Sequence, residues 1–131
     1  MSTPSPNPPT VLTVDDSPVM QKTIQKILGD TYRVLCVDNA LDALNTIYKE
    51  SILVVLLDVS MPDIDGLEVC RTIRNLPQFA DLPIVMVTAR DKAFDRVQGK
   101  MAGATEYLTK PFSPETLRQV VDRYASAASS S

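Results

Sequence analysis

Short apolar runs alternate along this chain with stretches of helical period, and that alternation predicts βα units on a parallel sheet. Thr10 to Val14 reads as a first strand, stopped by Asp15-Asp16. Ser17-Pro18 then offers an N-cap and a first-turn proline, and Met20, Ile24, Ile27 and Leu28 form one face of a helix that stops near Gly29. Tyr32 to Val37 is a second strand. Asn39 caps a helix that turns Ala40, Leu44, Ile47 and Tyr48 toward the core. Ile52 to Leu57 is apolar without alternation, as expected for a third strand covered on both faces. Leu67, Cys70 and Ile73 mark a third helix, with Glu68, Arg71 and Arg74 outside, and the proline-containing loop Asn75 to Pro83 reads as irregular. Ile84 to Val87 is a fourth strand, ended by Thr88-Ala89-Arg90. Phe94, Val97 and Met101 mark a fourth helix, which contains Gly99 and few strong helix formers and is expected to be the least stable. Glu106 to Thr109 is a short fifth strand leading to Lys110-Pro111, and Ser113-Pro114 opens a last helix with Leu117, Val120, Val121 and Tyr124 inward. Residues 1–9, rich in proline and serine, read as a disordered lead-in, residues 10–125 as one domain and residues 126–131 as a flexible tail.

A chain of 131 residues suits a single domain that buries about two-thirds of its unfolded surface, with no room for a second catalytic domain. The composition, 44% apolar and 22% charged, is that of a soluble globular protein. The net charge of -3 and the lack of a basic tract argue against nucleic acid as a partner. No apolar run approaches the roughly 18 residues that cross a bilayer, and the N-terminus lacks a signal-peptide pattern, so the expected setting is cytoplasmic, without membrane contact. Cys36 and Cys70 have no CxxC or Cys/His spacing, which excludes a structural zinc site; both read as small buried residues. The sequence has no histidine, so any chemistry must use carboxylates, hydroxyls and lysine.

Where the apolar runs end is the informative feature. Asp15 and Asp16 follow the first strand, Asp58 the third, Thr88 the fourth and Lys110 the fifth. Right-handed crossovers bring these ends to one edge of a parallel sheet, and if the second strand lies outside the first, three carboxylates crowd at the switch point. Such crowding calls for a cation. With oxygen ligands and no histidine, the natural guest is magnesium, which takes one or two carboxylates, waters and a phosphate oxygen. Lys110 then supplies positive charge and Thr88 a hydroxyl for phosphoryl oxygens, and Asp58 can attack a phosphoryl donor in line. Each residue also has a plain structural reading. Asp58 can open a surface turn, Asp15-Asp16 can favour a helix dipole, Thr88 can cap a helix, Lys110 can be a solvated loop lysine and Tyr107 a strand aromatic. Those readings leave unexplained why four strands all end on groups suited to magnesium phosphate.

Asp15-Asp16-Ser17, Leu57-Asp58-Val59-Ser60-Met61-Pro62 with Asp65-Gly66, Val87-Thr88-Ala89 and Tyr107-Leu108-Thr109-Lys110-Pro111-Phe112 together resemble the receiver domain of two-component response regulators, from about Val11 to Tyr124. The resemblance implies an α/β, flavodoxin-like (βα)5 three-layer sandwich with sheet order 2-1-3-4-5. It implies Asp58 as phosphoacceptor, with Asp16, Asp58 and the backbone carbonyl of Ser60 as Mg2+ ligands and Asp15 acting mainly through water. Lys110 would pair with the acyl phosphate, Thr88 would move toward it, and Tyr107 would turn inward, altering the face around the fifth strand. Lys110-Pro111 would be cis. Ser60 and Arg90 would border the path of attacking water. The segment from Ala93-Phe94-Asp95-Arg96 through Gly99 and Gly103 to Phe112 is most similar to single-domain receivers of chemotaxis and twitching-pilus systems.

The expectation is a stand-alone receiver that takes a phosphoryl group from a histidine kinase or histidine phosphotransfer protein on another chain and signals by binding a downstream output protein. It would turn over no separate substrate. Three rivals remain in view: a haloacid-dehalogenase-type phosphatase, which expects an acid where Ser60 stands; a flavin binder, which needs a phosphate-cradling loop where Asp15-Asp16 stand; and a degenerate receiver that binds partners without phosphorylation.

Overall fold

A computed structural model describes residues 8–61, 65–89, 100 and 102–129. The elements are β1 (Thr10–Val14), α1 (Pro18–Leu28), β2 (Arg33–Val37), α2 (Ala40–Lys49), β3 (Ile52–Asp58), α3 (Gly66–Arg74), a 3-10 turn (Pro77–Phe79), β4 (Ile84–Ala89), β5 (Glu106–Lys110) and α4 (Pro114–Ser129). All strand pairings are parallel, in the order β2-β1-β3-β4-β5. This is the flavodoxin-like arrangement that the resemblance implies.

The unbroken apolar run of β3 is explained by helices on both faces of the sheet. Val55 and Leu57 meet Leu12, Val14, Ile84 and Met86 under α2 and α3, whereas Val54 and Leu56 meet Val11, Val85, Val87 and Leu108 under α1 and α4. Local chemistry starts the helices where the strands must turn. Ser17 accepts the Met20 N–H, Asn39 the Asp42 N–H, and Asp65 the N–H groups of Leu67 and Glu68. A side-chain cap of this kind is worth about 1 kcal/mol. Val14 stands opposite Leu57, Asp58 opposite Val87 and Ala89 opposite Lys110, so the ends of four strands share one edge.

Several sequence expectations change in detail. β4 continues through Thr88 to Ala89 instead of stopping at Val87, because Thr88 and Ala89 keep their ladder with Thr109 and Lys110. Tyr48 points outward, 58% exposed, with its ring edge-on to Phe79, and Ala43 takes the buried place on α2 instead. Cys36, free like Cys70, is only half-buried because β2 is an edge strand. Arg74 is half-buried rather than outside, and donates to the carbonyls of Gly103 and Phe79 and to the Thr105 hydroxyl. The loop after α3 carries the one 3-10 turn among the described residues. α4 runs to Ser129, so the tail expected from Ser126 is helical at its start; the alanines there are strong helix formers and continue α4. At the other end, Pro9 belongs with the sheet, its carbonyl accepting the Arg33 N–H. Residues 1–7, Pro62, Arg90 and, apart from Lys100, the predicted helix from Phe94 to Met101 lie outside the described residues. No described helix is long and apolar enough to cross a membrane.

Candidate functional site

Asp15 leaves β1 with its backbone still tied to the sheet, the N–H donating to the Val37 carbonyl at 3.0 Å. Its side chain turns back to accept the Ser17 N–H at 2.9 Å, so the residue that caps α1 also orients the first acid. Gln21, one turn into α1, donates from its side-chain amide to the Asp15 carbonyl at 2.6 Å. Asp58 ends β3 and is 3% exposed, Asp15 is 1% exposed, and Asp16 stands at the surface. One carboxylate oxygen from each of the three lies within 4.8 Å of the others.

Lys110 comes in from the end of β5. Its Nζ is 3.0 Å from Asp58 Oδ2 and 3.6 Å from Asp15 Oδ2. The other Asp58 oxygen, Oδ1, accepts both the Ser60 N–H at 2.7 Å and the Ser60 hydroxyl at 2.6 Å. Burial alone would raise the Asp58 carboxyl, but the Ser60 hydroxyl and N–H together with Lys110 outweigh it and hold the group below the usual carboxylate range. Asp15 goes the other way: burial and the neighbouring charge of Asp58 push it up, against the Ser17 N–H and Lys110. Two acids only ångströms apart are thus driven to opposite sides of their ordinary value, the pattern of sites that handle charge.

Thr88 is 1% exposed and its hydroxyl has no hydrogen-bond partner among the described residues. Leaving a buried hydroxyl unpaired costs about 1–3 kcal/mol. Tyr107 stands on β5 opposite Met86, half-buried against the core under α2 and α3 rather than among the carboxylates. The Lys110-Pro111 peptide is cis. Helix α3 abuts the end of β3 closely: a Cβ on Gly66 would lie 3.0 Å from the Val59 Cα and 3.3 Å from the Asp58 carbonyl oxygen. That approach explains why glycine follows the Asp65 cap.

The sequence reading thus brings Asp15, Asp16, Asp58, Ser60 and Lys110 together. It gave Ser60 a metal-binding carbonyl and a place beside the path of attacking water, and missed the hydroxyl and N–H that grip Asp58 Oδ1; a serine two residues beyond an acid that ends a strand, suited to a local side-chain turn, was the available signal. It also missed Gln21, which reads as an ordinary polar position on α1. The donor set fits magnesium in its chemistry: three carboxylates, all hard oxygen ligands, converge without a nitrogen or sulfur donor.

A model of the response regulator receiver domain matches residues 11–122. The chain belongs to this family. Response regulator MprA of Mycobacterium sp. (strain KMS) is 41% identical over 111 residues, which cover 84% of this chain and 47% of the relative. The receiver therefore spans about half the length of the curated relatives it matches. Among solved structures, the chemotaxis protein CheY4 of Vibrio cholerae superposes with a TM-score of 0.83 at 34% identity, covering 89% of this chain and 98% of that one. The receiver domain of a sensor histidine kinase from Pseudomonas aeruginosa, which has a magnesium ion coordinated in its active-site cleft, reaches a TM-score of 0.81 at 30% identity, covering 89% and 97%. The phosphatase and flavin-binder readings give way to this family. The receiver is a module of two-component signalling, and receivers are not in general enzymes that turn over a separate substrate.

Proposed function

We propose that this receiver is a phosphorylation switch in which Asp58 accepts a phosphoryl group from a phosphohistidine on a histidine kinase or histidine phosphotransfer protein. The observation that carries the reading is the setting of Asp58: a buried carboxyl group at the end of the central strand, with Asp15 and Asp16 beside it and Lys110 Nζ 3.0 Å away. Asp16, Asp58 and the Ser60 carbonyl would hold Mg2+, with Asp15 acting through water. Bound there, the ion supplies charge neutralisation for the phosphoryl oxygens.

The steps belong to the side chains. An Asp58 oxygen attacks phosphorus in line, the P–N bond to the donor imidazole breaks, and the imidazole, protonated by solvent at its other ring nitrogen, leaves as the neutral base. Lys110 transfers its hydrogen bond from the carboxylate to a phosphoryl oxygen. Thr88, whose hydroxyl lacks a partner among the described residues beforehand, turns to the same group and gains one. Tyr107 follows inward, and the face built from the segment before β5, from β5 and from α4 changes for a downstream protein partner. Ser60 borders the approach of the water that later cleaves the acyl phosphate, and the receiver catalyses only its own phosphorylation and dephosphorylation. As in the single-domain receivers it resembles, we take it to act as a stand-alone cytoplasmic switch, without nucleic acid or membrane contact.

Incubation with a small radiolabelled phosphodonor tests the reading. Label should appear only with magnesium and should be released by neutral hydroxylamine, which cleaves acyl phosphates. Absence of label with magnesium present, or label resistant to hydroxylamine, overturns it.

A further inference from the structure

We infer that Gln21 is a positioning residue for the carboxylate cluster, fixing through the Asp15 carbonyl where the Asp16 carboxylate stands. The inference rests on the reading of this cluster as a magnesium site. Asp15 is held on every side: its N–H by Val37, its Oδ1 by Ser17, its Oδ2 by Lys110 and its carbonyl by Gln21. Asp16 is different. Its side chain is exposed and, among the described residues, makes no hydrogen bond or ion pair, yet one of its oxygens lies within 4.8 Å of those of Asp15 and Asp58.

Three like charges do not gather unaided, so the backbone must place Asp16 against their repulsion. The peptide that joins Asp15 to Asp16 has one carbonyl, and the Gln21 amide grips it at 2.6 Å. Gln21 is itself anchored, because its own N–H donates to the Ser17 carbonyl at 3.0 Å. The turn between β1 and α1 is thereby closed from both sides by one residue. Loss of the amide leaves the Asp15 carbonyl to water and lets the Asp15-Asp16 peptide rotate, which costs little in stability but spreads the Asp16 carboxylate over many positions. Partners that orient a metal ligand without touching the metal carry a large share of affinity in known sites.

Gln21→Met keeps the length and the neutral charge of the side chain and removes the donor. Titration of Mg2+ into the purified full chain by calorimetry should give a dissociation constant about tenfold weaker than wild type. The melting temperature in chelator should be unchanged. Labelling by a small phosphodonor should need correspondingly more magnesium for half-maximal rate while keeping its rate at saturating magnesium. Equal Mg2+ affinity in Gln21→Met and wild type overturns the inference while leaving the magnesium reading intact. So does a fall in metal-free melting temperature with no change in affinity, which marks a merely structural residue. Wild-type protein that binds no Mg2+ at millimolar concentration overturns the magnesium reading itself. Gln21→Asn, which keeps the amide but is too short to reach, provides the same measurement if Gln21→Met does not fold, and should weaken binding similarly.

Discussion

The Lys110 ammonium lies 3.0 Å from Asp58 Oδ2, although the two residues are 52 positions apart in the chain. The pair is the only cation-to-acid contact that Asp58 makes among the described residues, and it closes an otherwise uncompensated cluster of acids. Lys110→Met should therefore lower the stability of the metal-free protein at pH 7 by roughly 1–3 kcal/mol, since a buried carboxylate loses its charged partner. Magnesium should restore more stability to this variant than it adds to wild type. Urea denaturation with and without magnesium measures both; a variant as stable as wild type in chelator would contradict the assigned role.

Magnesium should raise the melting temperature of wild type, because an ion that binds only the folded state stabilises it by about 1.4 kcal/mol for each tenfold excess over its dissociation constant. Asp16→Ala should abolish the response. In chelator the same substitution should be neutral or slightly stabilising, because it removes a like charge from a cluster that lacks its cation. Thermal melts across a magnesium series check both signs. A metal-free variant clearly less stable than wild type would show that Asp16 is held by something other than the ion.

Arg74 ties α3 to two other segments, donating to the Phe79 carbonyl at 3.0 Å and, beyond it, to the Gly103 carbonyl at 2.7 Å and the Thr105 hydroxyl at 3.0 Å. Gly103 has φ +103°, and a Cβ there would meet the Arg74 Cγ at 2.6 Å. Arg74→Ala should cost about 2–3 kcal/mol through the lost bonds. Gly103→Ala should cost about 1–2 kcal/mol for the left-handed backbone, plus the collision with Arg74. In the double variant the collision is gone, so the combined cost should be less than additive. A double-mutant cycle in urea measures the coupling, and strict additivity would contradict it.

Tyr32 donates a hydrogen bond to Asp122, and Tyr124 donates to Glu106 at 3.1 Å. In each case burial, then the acceptor carboxylate, pushes the phenol up to about 12. A phenol that ionises later in the folded protein than in the unfolded chain, where it titrates near 10, contributes stability that is intact below pH 10 and lost as pH rises toward 12. Stability measured over that window should fall in wild type and fall less steeply in Tyr32→Phe. Identical slopes in the two proteins would contradict the assignment.

Much of this site can be read before folding, for a definite reason. Asp15 and Asp58 each stop an apolar run, Lys110 follows the short strand segment Glu106 to Thr109, and chain topology alone then brings strand ends to one edge. Thr88 is harder, because a β-branched residue continues a strand as readily as it ends one, so the sequence does not mark where β4 stops. Tyr48 has the right helical phase for the core, but it sits near the end of α2 beside Phe79, where the 3-10 turn supplies an aromatic edge instead of a cavity. Arg74 follows Arg71 on the polar side of an amphipathic helix, and nothing near it in the chain announces the Gly103 carbonyl that arrives 29 residues later. Gln21 and Ser60 belong to the same class. Their importance comes from the single atoms they meet, which periodicity does not encode.

The most direct measurement is labelling of Asp58→Asn by a small phosphodonor in saturating magnesium, beside wild type. The substitution keeps the size of the side chain and removes the nucleophilic carboxylate. Label should be lost in the variant while it still melts as a folded protein, and the phosphorylated peptide from wild type should be the one containing Asp58. Undiminished labelling of a folded Asp58→Asn protein would contradict the account.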